Sequence, residues 1–221
     1  MTYYYNTVPG MGKCRNNLVY TSIVDKDKFI CQYTVDQVYH NNNCLPIDIL
    51  NEKYQRDVKF TKQFSENFPQ HVPKIIDMSN NKIVYEYINV DFWQQADCDK
   101  NNFDKVLPNW QEQMLEILAA YRACGIWKYS LHPSSYFVID GKLRSINHFF
   151  CYSDNEPQIT INDIMNIISD DRKEKLLEFC KLKNINVNDK LPFSTYGQIA
   201  LESFRSNYPN DFIDKAKQLY K

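Results

Sequence analysis

The strongest local pattern in the chain is the stretch LHPSSYFVIDGKLRSIN, residues 131–147. Within it, two apolar runs, Tyr136 to Ile139 and Leu143 to Ile146, stand on either side of Asp140-Gly141. An Asp-Gly pair between two such runs is typical of a tight β-hairpin, because both residues accept the positive φ angles of the turn. The stretch therefore predicts a hairpin that follows a short polar loop.

A helix precedes this hairpin, and further helices follow it. Residues 108–124 predict the clearest helix of the chain, because one stripe at helical spacing is apolar and Gly125 follows the end. That stripe consists of Trp110, Met114, Ile117, Leu118 and Tyr121. Beyond residue 160 the pattern predicts helices at about 161–168, 170–182, 194–206 and 209–220.

The amino-terminal part favours strands. β-Branched and aromatic runs predict strands at residues 3–8, 18–24, 29–35, 74–77 and 82–88, with a hairpin joining the second to the third. A helix is predicted at residues 49–64, and Phe68-Pro69 ends it. These patterns indicate an α+β protein in which a mostly antiparallel sheet with one helix gives way to a helical part near residues 88–95.

Composition limits the kinds of partner that the chain can bind. The 221 residues carry a formal net charge of −1, so no surplus of positive charge points to nucleic acid or to a membrane surface. Seven cysteines without close pairs and no signal-peptide pattern at the start favour a cytoplasmic protein with reduced thiols. His40 and Cys44 lack a second pair of ligands, so no metal site is expected there.

A glycine-containing loop is the first candidate for phosphate binding. Gly10, Gly12 and Lys13 resemble part of such a loop. The Walker pattern fails because Cys14 replaces the Ser or Thr that would hold magnesium, and no third glycine completes the dinucleotide pattern. Alone, this loop is weak evidence.

The order of elements, taken with residues 131–147, resembles the protein-kinase-like superfamily. The resemblance is to its small-molecule branch, the aminoglycoside, choline and lipopolysaccharide kinases, in which His-Gly-Asp-Leu-His-Pro-Ser-Asn precedes an apolar strand, a Gly turn and Leu-Ile-Asp-Phe-Gly. It extends over about residues 8–150 and includes Gly125-Ile126 and the segments 56–58 and 71–77. The resemblance implies a two-lobed fold, with an amino-terminal lobe at 1–90, a minimal carboxy-terminal lobe at 91–221 and the catalytic-loop hairpin at 126–150.

The polar residues that such kinases use are replaced in this chain. Phosphoryl transfer requires a cation on the phosphates, carboxylates that hold magnesium, and a carboxylate that orients the acceptor. The resemblance implies that Gln32 replaces the phosphate-binding Lys and that Asp57 lies near the position of its partner Glu. It likewise implies that Ser130 replaces the catalytic Asp, and that Ser135 and Asn147 replace the two metal ligands.

These replacements predict a catalytically inactive pseudokinase that acts as a binding or regulatory module. We expect a protein partner, no nucleic acid, no membrane, no metal and no magnesium-dependent ATP binding. A vestigial nucleotide cleft would be formed by Gly10, Gly12, Lys13 and Gln32. A composition rich in Asn and Lys is typical of an AT-rich genome, and a viral source would place the protein in the host cytoplasm.

Two other functions remain open at this point. An atypical small-molecule phosphotransferase or nucleotidyltransferase would use displaced carboxylates, for which Asp57, Asp140 and Asp154 are the candidates. A structural or virion-associated protein could use the same scaffold. His132 is expected to brace the loop, and Lys128, at the mouth of the cleft, is expected either to face a partner or to pack inside.

Overall fold

The computed structural model describes residues 4–5, 22–23, 28–32, 47–80, 82–86, 90–165 and 170–221. Their architecture confirms the α+β class, because small antiparallel sheets alternate with helices along the chain. The helices are α1 (Ile47–Asn67), α2 (Phe92–Gln95), α3 (Phe103–Val106), α4 (Trp110–Ala123), α5 (Ile161–Met165), α6 (Asp170–Leu182), α7 (Phe193–Ser203) and α8 (Asn210–Gln218). The strands are β1 (Tyr4–Tyr5), β2 (Ser22–Ile23), β3 (Lys28–Gln32), β4 (Ile75–Ser79), β5 (Lys82–Glu86), β6 (Ile126–Lys128), β7 (Tyr136–Ile139), β8 (Lys142–Ser145) and β9 (Cys151–Ser153).

Strand β5 is the centre of the largest sheet in the described part, which has the order β3-β5-β4. Its middle residues, Ile83, Val84 and Tyr85, are all buried. A strand buried on both faces reads as a continuous apolar run and takes a neighbour on each edge. Among the described residues β2 pairs with β1 and β3 pairs with β5, while most of the predicted hairpin between residues 18–24 and 29–35 lies outside those residues and stays a prediction.

Helix α1 confirms the helix predicted at residues 49–64. Phe60, Thr61 and Phe64 are completely buried and recur at helical spacing, so one face of the helix packs into the protein. The ring of Phe64 stacks on Tyr121 of α4, with 3.7 Å between ring centroids. The apolar face of α1 thus joins the sheet region to the helical region.

An aromatic cluster fixes the short helices against α4 and α8. Phe103 and Trp110 meet edge to face with 5.0 Å between centroids, and Trp110 lies 5.0 Å from Phe212. Such aromatic pairs add stability beyond the apolar area that they bury. No helix in the described ranges combines the length and apolar character needed to cross a membrane.

Two pairs of short strands position the loops of interest. The predicted hairpin is confirmed as β7 and β8, with Asp140 at φ 50° and Gly141 at φ 69° in its turn. Strand β6 pairs with β9, which the sequence analysis does not predict. Since β6 ends at residue 128 and β9 begins at 151, this pairing places the segment after β6 beside the segment that precedes β9.

The end of the chain packs back on β6. The hydroxyl of Tyr220 donates to the carbonyl oxygen of Lys128 at 2.8 Å. The ring of Tyr220 lies directly against the backbone of Gly197 in α7, where a Cβ would overlap the ring atoms. Glycine at this position allows the close approach of α7 to the chain terminus.

Replacement of Gly197 therefore provides a test of this packing. We expect Gly197→Ala to lower the free energy of unfolding by about 1–3 kcal/mol, although alanine favours helices, because the added methyl group overpacks the contact. Ser203→Ala, an exposed change on the same helix, should stay within about 0.5 kcal/mol of wild type. Urea denaturation measures both, and a Gly197→Ala protein as stable as wild type would contradict the packing.

Candidate functional site

Three of the residues that the sequence analysis singled out lie together. Ser130, Ser135 and Asn147 are 8%, 2% and 1% exposed. The Asn147 side-chain amide donates to Ser135 Oγ at 3.3 Å, and the Ser130 hydroxyl donates to the backbone oxygen of Asn147. The structure thus brings the segment after β6, the turn before β7 and the residue after Ile146 into one buried cluster, which we call the loop cluster.

Asn147 has two unusual features. Its backbone is left-handed, with φ 63° and ψ 63°, a conformation that Asn adopts more readily than most residues. Its Oδ1 atom is buried and has no hydrogen-bond partner in the described part of the chain. A buried acceptor without a partner loses its hydration without compensation. This amide oxygen is therefore an unsatisfied hydrogen-bond acceptor within the loop cluster.

Lys128 joins the loop cluster, so of its two expected roles the structure favours packing inside the protein over facing a partner. Its side chain is fully buried, and Nζ donates to Ser130 Oγ at 3.0 Å and to the carbonyl oxygens of Ile146 at 2.8 Å and Asn147 at 3.0 Å. The pairing of β6 with β9 brings this lysine inside. Three oxygen acceptors replace the water that an ammonium group loses on burial.

The charge of Lys128 is only partly compensated by its surroundings. Burial lowers the pKa of Lys128 to about 8, while Cys151 and Asp57 oppose the shift. Burial also raises the pKa of the Cys151 thiol to about 12, with Lys128 opposing, so this thiol is neutral at physiological pH. At pH 7 the loop cluster therefore contains an ammonium group, hydroxyls and an amide.

Asp57 braces the loop cluster from α1. Its Oδ1 accepts a hydrogen bond of 2.7 Å from the backbone N–H of His148 and one of 3.2 Å from the Thr61 hydroxyl. The carboxylate is 1% exposed. Its described hydrogen bonds go to the backbone after Asn147 and to its own helix.

His148 extends this brace to α4. Its Nδ1 lies 2.8 Å from Thr61 Oγ1, and its Nε2 lies 2.7 Å from the Tyr121 hydroxyl. Thr61 also donates to Asp57. The Tyr121 hydroxyl also donates to Ser145 Oγ at 2.9 Å, so both ring contacts belong to one buried hydrogen-bond network. Burial lowers the pKa of His148 to about 4, Lys128 lowers it further and Asp57 opposes the shift. The ring is therefore neutral at physiological pH.

The predicted nucleotide-binding residues are not tested. Gly10, Gly12 and Lys13 lie outside the described residues. Gln32 ends β3, where its backbone pairs with Lys82, and its side chain is not described. A nucleotide cleft at these residues stays a prediction.

The carboxylates considered for an enzyme with displaced ligands are separated or engaged elsewhere. Asp140 lies in the exposed β7–β8 turn. Asp154 accepts from the Trp127 indole at 2.5 Å and from Arg122 at 3.4 Å. Among the residues that the structure describes, no three His, Cys, Asp or Glu side chains form a group suited to a metal ion.

The sequence analysis found the serines and Asn147 but assigned no site role to Lys128 or His148. Expected to brace its loop, His132 accepts from the N–H of Ser134 at 3.2 Å. For His148 a signal exists, because it directly follows Asn147. For Lys128 none exists, because its burial depends on the distant strand β9.

Comparisons with known proteins give limited information. No protein-family model matches the chain, and no curated protein matches its sequence. Solved structures of WbdD are similar to this chain. One of them, a complex with the kinase inhibitor LY294002, has 13% sequence identity and a TM-score of 0.41. The match covers 80% of this chain and 41% of the WbdD chain. Another, described as the bifunctional kinase-methyltransferase WbdD, has 14% identity and a TM-score of 0.39, with coverage of 80% and 40%. The chain thus spans less than half of those longer proteins.

The neutral His148 predicts a loss of stability in acid. The pKa of His148 is about 4 in the folded state and about 6.5 in the unfolded state. The free energy of unfolding therefore decreases as the pH falls from about 6.5 to 4. Between pH 7 and 4.5 we expect this residue alone to account for about 2 kcal/mol. Urea denaturation at both pH values should show a smaller loss for His148→Gln than for wild type, and equal losses would contradict a neutral buried ring.

The brace from α1 predicts a second effect on stability. We expect Asp57→Ala to cost about 2–4 kcal/mol, because the His148 N–H and the Thr61 hydroxyl lose a charged acceptor in a buried site. Asp57→Asn keeps an acceptor oxygen and should cost less. Asp154→Asn, at an exposed carboxylate, is the control for the same change of charge. Chemical denaturation would refute the brace if Asp57→Ala and Asp154→Asn behaved alike.

Proposed function

We propose that this chain is a kinase-like binding module, a pseudokinase that does not transfer phosphate with magnesium. The proposal starts from the resemblance of residues 131–147 to a catalytic loop and metal-binding hairpin whose acidic residues are replaced. Ser130, Ser135 and Asn147, the three replaced positions of that hairpin region, are neighbours in the loop cluster. Their proximity is what a shared origin from one catalytic site would produce.

The observation that carries the proposal is the ammonium group of Lys128 in this cluster. Lys128 donates to Ser130 and to the backbone oxygen of Asn147, so a fixed positive charge lies beside the residues that would face a metal ion. Magnesium prefers anionic oxygen ligands, whereas Ser130, Ser135 and Asn147 offer neutral oxygens. Repulsion by the ammonium group further opposes a divalent cation at this position.

Asp57 supports the same conclusion. In the resemblance it lies near the helix Glu that would hold the phosphate-binding lysine. Its Oδ1 here accepts from the His148 backbone and from Thr61, so the carboxylate stabilises the loop. Neither Asp140, in an exposed turn, nor Asp154, bonded to Trp127, lies in the described contacts of the cluster. No observation therefore favours the transferase with displaced carboxylates.

The proposed activity is recognition of a protein partner. The loop of this scaffold is held closed by hydrogen bonds within the protein. The hydrogen bonds of Lys128 and Asp57 hold the loop without any nucleotide. Nucleotide binding without metal at Gly10, Gly12, Lys13 and Gln32 belongs to the proposal as a secondary property. Cytoplasmic location and viral origin remain expectations from composition.

The proposal predicts no magnesium-dependent gain in stability from ATP. A ligand that binds only the folded state raises the melting temperature, so thermal unfolding of the full chain with ATP, with Mg²⁺ and with both is a direct measurement. The shifts of the melting temperature with ATP alone and with Mg²⁺ alone are measured separately. We expect the shift with both together to be no greater than the larger of these two. Magnesium-dependent phosphate transfer from ATP that is lost in Ser130→Ala or Asn147→Ala would overturn the proposal.

A gain-of-binding variant tests the role assigned to Lys128. Lys128→Met combined with Asn147→Asp removes the ammonium group and supplies a carboxylate. We expect this double variant to acquire stabilisation by Mn²⁺ or Mg²⁺ that wild type lacks. Asn155→Asp makes the same amide-to-acid change at an exposed position and should acquire none.

A further inference from the structure

A cavity lies on the other side of the loop cluster, between the β6–β9 pair and helices α5 to α7. Its enclosed space measures about 80 Å³, and one side is open to solvent. Tyr129, Phe150 and Tyr152 form one wall, and Ile199 and Ala200 of α7 form part of the opposite wall.

Three of the hydroxyl groups around this cavity donate to backbone carbonyl oxygens. Tyr129 donates its hydroxyl hydrogen to the carbonyl oxygen of Phe193 at 2.8 Å, and Tyr196 donates to that of Ile159. Ser203 donates to the carbonyl oxygen of Ala200 at 2.8 Å. None of the described residues that line the cavity carries a charge. A phosphate or carboxylate group would therefore lose its hydration here without a compensating partner.

Aromatic rings dominate one wall. The rings of Tyr129 and Tyr152 lie 5.2 Å apart, and Tyr152 stacks on Phe193 at 5.5 Å. Burial raises the pKa of Tyr152 to about 12, so this side chain stays neutral at physiological pH. Ring faces fixed in this way favour another ring in an offset or edge-to-face arrangement.

The aromatic wall is continuous with the loop cluster. Tyr129 lies between Lys128 and Ser130 in the chain, and Phe150 follows two residues after His148. The N–H of Tyr129 donates to the carbonyl oxygen of Phe150 at 2.9 Å, so the two wall residues hold each other through their backbones. A molecule in contact with both side chains restrains both segments of the loop cluster.

We propose that this cavity is a binding site for an uncharged small molecule that contains an aromatic ring. The apolar lining selects against charge, and the ring-rich wall selects for a flat occupant. Its occupancy stabilises the segments that carry Lys128 and His148. The proposal does not depend on whether the chain transfers phosphate.

Two dyes with the same skeleton test the selection against charge. N-phenyl-1-naphthylamine is uncharged, and 8-anilino-1-naphthalenesulfonate adds a sulfonate to it. Fluorescence titration of the full chain should show saturable binding of the uncharged dye, at least about tenfold tighter than the sulfonate, a difference of about 1.4 kcal/mol. Equal affinities, or a signal that does not saturate, would refute the site.

Filling the cavity tests its location. Ala200→Trp should weaken binding of the uncharged dye at least about tenfold, since the indole occupies the space of a ring. Ala119→Trp, at an exposed position of α4, is the matched control and should bind as wild type does. If Ala200→Trp unfolds, Ala200→Leu replaces it and should still weaken binding. Unchanged binding in a folded Ala200 variant would overturn the proposal.

Two further measurements separate a ligand site from an interface. The uncharged dye should raise the melting temperature of wild type and of Ala119→Trp more than that of the Ala200 variant. Analytical ultracentrifugation should give the same mass for all three proteins. A wild-type dimer that becomes monomeric in the Ala200 variant would show that a second copy of the chain covers the cavity, and would exclude the small-molecule site.

Discussion

The ammonium group of Lys128 is buried among oxygens from two separate segments, Ser130 on its own side and the carbonyls of Ile146 and Asn147 on the other. An ammonium group in a protein interior costs several kcal/mol unless acceptors replace its water. These acceptors are in place only when both segments are closed on each other. The pairing of β6 with β9 and the left-handed backbone at Asn147 are therefore linked to one buried charge.

The second half of the arrangement comes from α1. Asp57 accepts from the His148 backbone, and Thr61 and Tyr121 hold the two ring nitrogens of His148. One neutral histidine thus joins α1 to α4 through the segment next to Asn147. The Asp57 carboxylate and the Lys128 ammonium group form hydrogen bonds with different parts of the same loop cluster. Most polar groups of the loop cluster are therefore hydrogen-bonded within the protein. The exception is the Asn147 amide oxygen.

Polar groups that are already hydrogen-bonded within the protein are less available to a charged substrate, which agrees with the function proposed above. Groups that transfer phosphate must be free to contact metal and substrate. In this loop cluster the corresponding positions hold the loop together. The cavity behind Tyr129 and Phe150 has the opposite character, since its lining is mostly apolar and the hydroxyls of Tyr129 and Tyr196 donate to backbone carbonyl oxygens. Tyr129 and Phe150 are neighbours in sequence of the loop cluster, which gives a physical route from one site to the other.

The sequence by itself determined the α+β class, the hairpin of β7 and β8, and helices α1 and α4, because each depends on local periodicity and turn chemistry. The resemblance to a catalytic loop brought out Ser130, Ser135 and Asn147. Only the tertiary structure decided that β3 pairs with β5 and that β6 pairs with β9. Those pairings join residues far apart in the chain, and no local pattern specifies them. The burial of Lys128 follows from the second pairing, which makes this residue the centre of the site.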